Sequence, residues 1–592
     1  MKRIICLLIT FALVFCLSAC GSKTPCESAD TTQHEKNEAT PTGDIADTVL
    51  LGNIYTGLET VEALAVKDGK VLFTGSKADV QPFIGENTVL EEYSAIQLIM
   101  PGIIDAHTHA TQLINASSFL CNLPEGSTAE ECVTIINGFV TENPDYEYYV
   151  ARGWVNSSFE NSCPTAELLD VIETDKPIYA ISSDGHSYWT NSNLIRLAGI
   201  TAETQDPDGG LIERNPDGTP NGCFRDTAQA LISNALPKSG AEAKKAGILL
   251  TQQTYAAYGY TSYLEINAND ANETLFYPFI EAYEMLDQEN QLIQYVQGGF
   301  VVNNDGDAMA AVDKAIELRD STAGGKFELT NVKVYMDGVV EGGTAYLSEP
   351  YVTDTGYYGE ARWKTPEDLK KLTEIIVRAN RAGMSVHFHA VGDQAISDAV
   401  DCIEKAYKQL GDQVVACRNA IVHLQIVNPI DYDRFTSLGI VAVINPWACK
   451  YPGFYTETEV MYLGEDRASK EYPVKSFADA GVQLSFGTDY GASFVCEPLD
   501  CIHILTTRMT EDEDPTTLLG GEESIGLENT IRMMTRGGAY QMFKEDELGS
   551  LETGKAANLI LLDQDILSLP TIEIENTAVL RTMIDGNWVY IK

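Results

Sequence analysis

Ile99-Met100-Pro101-Gly102-Ile103-Ile104-Asp105-Ala106-His107-Thr108-His109 is the stretch that decides how this chain folds. An apolar run interrupted by Pro-Gly resumes at Ile103 and ends in two histidines two residues apart. Residues i and i+2 of a strand share a face, so His107 and His109 can both reach one metal ion. An HxH pair alone is a weak signal. Its place at the end of a Pro-Gly-preceded strand gives it weight.

Downstream, strand-like runs alternate with amphipathic helical ones: Val332 to Met336, Pro366 to Ala382, Met384 to His389, Gln394 to Leu410 and Asn419 to Leu424. From Pro101 to about Gly538 this alternation predicts βα units around a parallel core. The fold class expected is α/β, a (β/α)8 TIM-like barrel with its site at the C-terminal ends of the strands. A Pro/Gly-punctuated stretch around 128–238 predicts an insertion. Both chain ends read instead as short strands with tight turns, at Lys67-Asp68-Gly69-Lys70 and Asp585-Gly586-Asn587. Residues 44–98 and 549–592 are therefore expected to form a small composite β-sandwich around a barrel spanning 99–548.

Before residue 44 there is no fold to predict. Met1-Lys2-Arg3 precedes an apolar run from Ile4 to Leu17, too short for a comfortable span of ~20 residues but suited to a secretory signal. The run ends Leu17-Ser18-Ala19-Cys20, which resembles the lipobox of bacterial lipoproteins. The expectation is a signal peptide over 1–19, lipidation of Cys20, export, and a flexible tether over 20–43. The alternative is ordinary signal cleavage and a secreted protein.

The 592 residues carry 40 basic and 86 acidic side chains, a net charge of -46. That balance excludes nucleic acid and electrostatic docking on anionic lipid, since both are polyanions. A membrane association would run only through the lipid anchor. Thirteen cysteines without CxxC spacing define no pairing. The oligomeric state stays open, a dimer being compatible with the sequence.

Further residues could do chemistry. His387-Phe388-His389 is a second strand-like HxH, and His423 ends another strand. Asp489 follows Ser485-Phe486-Gly487-Thr488, where a carboxylate could bind a metal weakly and accept a proton from water. Lys333 lies inside a strand, where burying its charge is expensive unless it is paired or neutralised. Carboxylation by CO2 to a carbamate is one solution; a snorkelling ammonium is the other.

Taken together, these segments resemble the amidohydrolase superfamily, whose members are (β/α)8-barrel hydrolases. PGIIDAHTH looks like its first-strand metal motif. Asp184 to Ser192 (DGHSYWTNS) and Asp206 to Gly210 (DPDGG) are similar to the family-3 branch, which includes the N-substituted formamide deformylases. Gly153-Trp154, KVYMDG at Lys333–Gly338, HAVGD at His389–Asp393, Gly487-Thr488-Asp489 and GSLETGK at Gly549–Lys555 fit the same branch in the same order. The resemblance covers about residues 46 to 592.

It implies metal ligation by His107, His109, Lys333, His389, His423 and Asp489, with His387 structural and Lys333 a bridging carbamate. It also implies one or two divalent ions, most simply zinc given the imidazole and carboxylate ligands. Asp489, His423 and His186 are the expected catalytic groups, with His186, Trp154 and Trp189 facing the substrate. Val422 stands where the family usually has Glu before its histidine, and Tyr490-Gly491 where it commonly has a nearby Pro. The activity implied is hydrolysis of a non-peptide C–N bond (formamide, amide or cyclic amide) in a small molecule. The alternatives are a hydrolytic deaminase on one metal, or an idle lipid-anchored binding protein.

Overall fold

Strand β1 (Ile103–Thr108) is buried along its whole length, as a strand covered on both faces must be. The remaining barrel strands are β2 (Tyr260–Glu265), β3 (Tyr295–Val301), β4 (Phe327–Tyr335), β5 (Ser385–Ala390), β6 (Ala420–His423), β7 (Val441–Ile444) and β8 (Leu484–Phe486). The computed structural model describes residues 44–111, 120–124, 126–155, 158–159, 163–182, 187–207, 210–236, 241–269, 278–304, 306–446, 459–490, 497–509 and 519–592. Neighbours from β1 to β8 pair in sequence order, all parallel.

The first and last strands meet at a seam held by main-chain bonds above their ends. Asp489 N donates to His107 O at 2.8 Å, and His109 N donates to Tyr490 O at 2.9 Å. Gly487 makes this approach feasible. A Cβ there would lie 2.4 Å from His107 Cβ and 2.9 Å from its N.

The helices between strands bury one apolar face. The helix Pro366–Arg381 starts with a reciprocal cap, Thr365 and Asp368 exchanging bonds, and Pro at its first turn. Leu372, Ile375 and Ile376 from it, and Ile396, Val400 and Ile403 from Asp393–Leu410, are buried in the main core with Val332, Val334 and Phe388. Each such side chain contributes about 1.5–3 kcal/mol on burial.

The chain ends share one eight-stranded sheet, in which Leu98–Pro101 pairs antiparallel with Leu559–Leu562. Leu98–Pro101 then runs through Gly102 directly into β1. The strands expected as a sandwich are thus hydrogen-bonded into a single sheet. A third, six-stranded sheet runs from Leu120–Asn122 to Pro220–Asp226. It begins earlier than the insertion boundary expected at about 128, because Leu120–Asn122 pairs with Tyr149–Trp154. Cys20 and the segments expected as signal and tether lie outside the described residues. Among the described residues no helix is long and apolar enough to cross a membrane.

Candidate metal centre

Parallel register sets the depth of each side chain. Tyr335 pairs with His389 and Ala390 with His423. His389 and His423 therefore end neighbouring strands, while Lys333 pairs with His387 one layer further down. Strands β1 and β8 add His107, His109 and Asp489 at the seam. One oxygen of Asp489 lies 3.2 Å from His107 Nε2 and 3.4 Å from His109 Nε2; the other is 4.0 Å from His423 Nδ1. Ligand atoms of His107, His423 and Asp489 all lie within 4.8 Å of one another. The His389 and His423 rings are 4.4 Å apart, edge to face.

Surrounding hydrogen bonds assign which nitrogen of each imidazole keeps its lone pair. Asn445 Nδ2 donates to Gly487 O at 2.7 Å, which turns its Oδ1 toward His423 Nδ1 at 3.0 Å. A carbonyl oxygen only accepts, so His423 Nδ1 carries the proton and Nε2 the lone pair. His389 Nε2 donates likewise to Gly338 O at 3.1 Å. His107 Nε2 is buried without a hydrogen-bond partner. This orphaned atom beside a carboxylate and two further imidazoles fits a divalent cation.

Charges follow from burial. Desolvation, then Lys333 and the neighbouring histidines, hold His107 well below its ordinary pKa, hence neutral. Burial pushes the Asp489 carboxyl up, but His109, His423 and Lys333 outweigh it and keep it below the usual range. Lys333 Nζ is fully buried without a hydrogen-bond partner, 4.8 Å from the Tyr335 ring. Desolvation lowers its pKa to about 7 against the opposing charge of Asp489, so a substantial share of the amine is unprotonated at neutral pH. His423, Leu424 and Asp489 have φ of 77°, 51° and 55°. Left-handed backbone costs such residues about 1–3 kcal/mol each and recurs at functional sites.

A second ring of groups was missed from sequence. Asp105, four residues before His109, accepts from Thr488 N at 2.9 Å, Thr488 Oγ1 at 2.6 Å and Tyr255 OH at 2.9 Å, which ties β1 to the β8 end. Burial raises its pKa to about 6 against those bonds. Asp337 accepts three backbone N–H groups, from Tyr346, Val391 and Gly392, and is raised to about 7 by burial. Glu265 ends β2 with Oε2 on Thr111 N at 2.9 Å and Oε1 buried without a partner. Asp105 within PGIIDAHTH and Asp337 within KVYMDG are the available signals.

Trp154 and Trp189, which could line the pocket or belong to the core, are 1% and 0% exposed, and each indole N–H donates to a carbonyl, Ala180 O at 2.9 Å and Thr165 O at 2.7 Å. They pack with Phe159 in the core of the insertion. An aromatic in a motif reports burial as readily as binding. His186 lies outside the described residues. His503 is buried, its Nε2 3.8 Å from a Glu575 carboxylate oxygen.

A model of the Amidohydrolase family matches residues 97–590. Protein LONG AFTER FAR-RED 3 of Arabidopsis thaliana is 25% identical over 94% of this chain and 93% of its own length. The N-substituted formamide deformylase of Arthrobacter pascens is 26% identical over 89% of this chain and 94% of its own. Among solved structures, an uncharacterized metal-dependent hydrolase from Pyrococcus furiosus superposes with a TM-score of 0.70 at 22% identity, over 88% of this chain and 100% of that one.

Proposed function

The chain belongs to the Amidohydrolase family, and from that premise and the geometry of the centre we propose that it hydrolyses a formamide or a related amide or cyclic amide. It is an enzyme acting on carbon–nitrogen bonds other than peptide bonds. The observation that carries the reading is the buried, unpartnered His107 Nε2 facing Asp489, His109 and His423 at the strand ends.

In this reading His107, His109, His389, His423 and Asp489 would hold one or two divalent ions, zinc by their donor chemistry. The Lys333 amine, sealed from water and with its pKa lowered by burial, supports carboxylation by CO2, and the carbamate would serve as a further ligand to such ions. When bound, such an ion polarises a carbonyl and draws the pKa of water from ~15.7 toward ~7. Asp489, kept ionised by its imidazole neighbours, takes the proton from the attacking water and hands it to the leaving nitrogen. His423, its Nδ1–H held by Asn445, keeps a fixed ring orientation while the carbonyl develops charge. His186 is proposed as a further polarising donor.

The formamide assignment is supported by the near full-length similarity to the Arthrobacter deformylase. Replacing His109 by Ala is expected to remove bound metal and hydrolysis together. Retained activity without metal refutes the reading. Release of ammonia without formate or carboxylic acid assigns a deaminase, and a flat amide panel on fully metallated protein assigns a binding protein. The reading also includes export with a lipid on Cys20, supported by Leu17-Ser18-Ala19-Cys20. Labelled fatty acid should enter the wild type and not Cys20→Ser; an unlabelled wild type overturns it. The apolar cluster that Leu50, Leu64 and Val71 share with Leu559, Leu561 and Met583 supports a folded-over, sandwich-like unit.

A further inference from the structure

His107 is the deeper histidine of its pair, 0% exposed, whereas the His109 side chain is 16% exposed. Its Nδ1 lies 2.9 Å from Nε2 of His387, the ring centroids 4.8 Å apart and tilted by 35°. His387 projects from β5 on the same face as His389, two residues nearer the barrel floor. It is fully buried. Its contact with His107 crosses the barrel from the fifth strand to the first.

Donor and acceptor counting makes this contact informative. Two imidazole nitrogens at hydrogen-bond distance share a single proton, so one ring donates and the other accepts. The 2.9 Å bond therefore has one proton and two possible owners. If His387 owned it, His107 Nε2 would carry an N–H toward Asp489. The 3.2 Å approach to Asp489 lacks hydrogen-bond alignment, and His107 Nε2 stands without a partner. The arrangement consistent with that geometry is His107 Nδ1–H donating to His387 Nε2, with the Nε2 lone pair turned to the cluster.

We propose that His387 is a positioning residue, which holds His107 in the Nδ1–H tautomer and in the rotamer that presents its Nε2 lone pair to a divalent cation. This rests on His107 being a ligand, as proposed above. Orienting partners of this kind are carboxylates, carbonyls or water at most metal-bound histidines; here the partner is a second imidazole. The arrangement leaves His387 Nδ1 carrying a proton with no acceptor, and that nitrogen is buried unpartnered. Leaving a buried donor unmet costs about 1–3 kcal/mol, a cost with no structural return unless the other nitrogen has work to do.

The test compares three substitutions by Zn2+ competition titration against a chromophoric chelator, with melting curves on each. His387→Gln keeps an acceptor near the position of Nε2 and is expected to bind within about threefold of wild type. His387→Leu and His387→Asn remove or shorten the acceptor and are expected to lose about 10–100-fold in affinity, the usual cost of deleting such a partner. The Co2+-loaded forms should show a changed visible spectrum in Leu and Asn but not in Gln. If Leu fails to fold, the Gln–Asn pair decides alone. Wild-type affinity in the folded Leu or Asn variant overturns the inference, as does equal loss in Gln and Asn. Loss of metal in His107→Ala beside full binding in the His387 variants sinks this inference alone. Full binding in a folded His107→Ala sinks the ligand reading beneath it.

Discussion

Adding one methyl group at Gly487 should separate two of the strands that position the candidate metal centre. Gly487 donates its N–H to Ile444 O at 3.0 Å and accepts from Asn445 at 2.7 Å, so the backbone is anchored on the β7 side. On the other side a Cβ would sit 2.4 Å from His107 Cβ and 3.0 Å from His107 Cα. Carbon atoms in contact rest about 3.5–4.0 Å apart, so β8 and β1 must part by ~1 Å. Neither obstacle is a flexible side-chain end. Overpacking of this kind costs about 1–3 kcal/mol, which appears as a Tm lower by a few degrees. The chemical consequence is larger, because Asp489 and His107 are moved relative to one another, and a misplacement of ~1 Å costs ~100-fold in rate. Gly487→Ala is therefore expected to melt slightly early, to bind Zn2+ far more weakly and to lose nearly all turnover. Gly138→Ala is the control: it lies in a surface helix, a Cβ there meets nothing within 4 Å, and it should be neutral or stabilising. A Gly487→Ala protein with wild-type melting and metal affinity would refute the reasoning.

Trp189→Phe deletes the donor to Thr165 O and should destabilise by about 1–3 kcal/mol without changing KM; altered KM at unchanged Tm would return Trp189 to the substrate site. Glu91 is pushed up by burial, but bonds from Tyr93 and Trp588 and the charge of Arg581 outweigh this and hold its pKa below the ordinary value. A lowered carboxylate contributes stability above its unfolded pKa and loses it as pH falls through the folded value. Melting curves from pH 6 to pH 3 should thus fall less steeply for Glu91→Gln than for wild type, and identical slopes would disprove the linkage. Removing metal by chelation should lower Tm and re-addition restore it, since ligand at 1,000 times its Kd stabilises by about 4 kcal/mol. A melt indifferent to chelator would contradict a resident ion.

The parts readable from sequence are those with local periodicity. An apolar strand followed by alternating polar positions announces β1 and β5, and the helices Pro366–Arg381 and Asp393–Leu410 carry their own faces and caps. His107, His109, His423 and Asp489 were nominated from strand ends, and the structure gathers them although 382 residues separate the outermost pair. What escaped depends on geometry with no local signature. Nothing near Trp154 or Trp189 tells whether an indole faces a pocket or a core. Asp105 looks like part of a strand until Thr488 arrives from the other end of the barrel. From sequence His387 reads as structural, because His389, two residues on, is the one that matches the motif. Only the distance to His107 distinguishes an idle histidine from a useful one.

The seam between β1 and β8 has a consequence for how the protein comes into being. His107 and His109 leave the ribosome early, whereas Asp489 emerges almost four hundred residues later. Until that segment docks, Asp489 N cannot reach His107 O and Gly487 cannot close on the first strand. Leu98–Pro101, which leads into β1, waits still longer for Leu559–Leu562. A nascent chain thus presents scattered imidazoles rather than a chelating site. Metal capture belongs to the final stage of folding, and a truncated chain that stops short of β8 is a molecule with most of the histidines and none of the pocket.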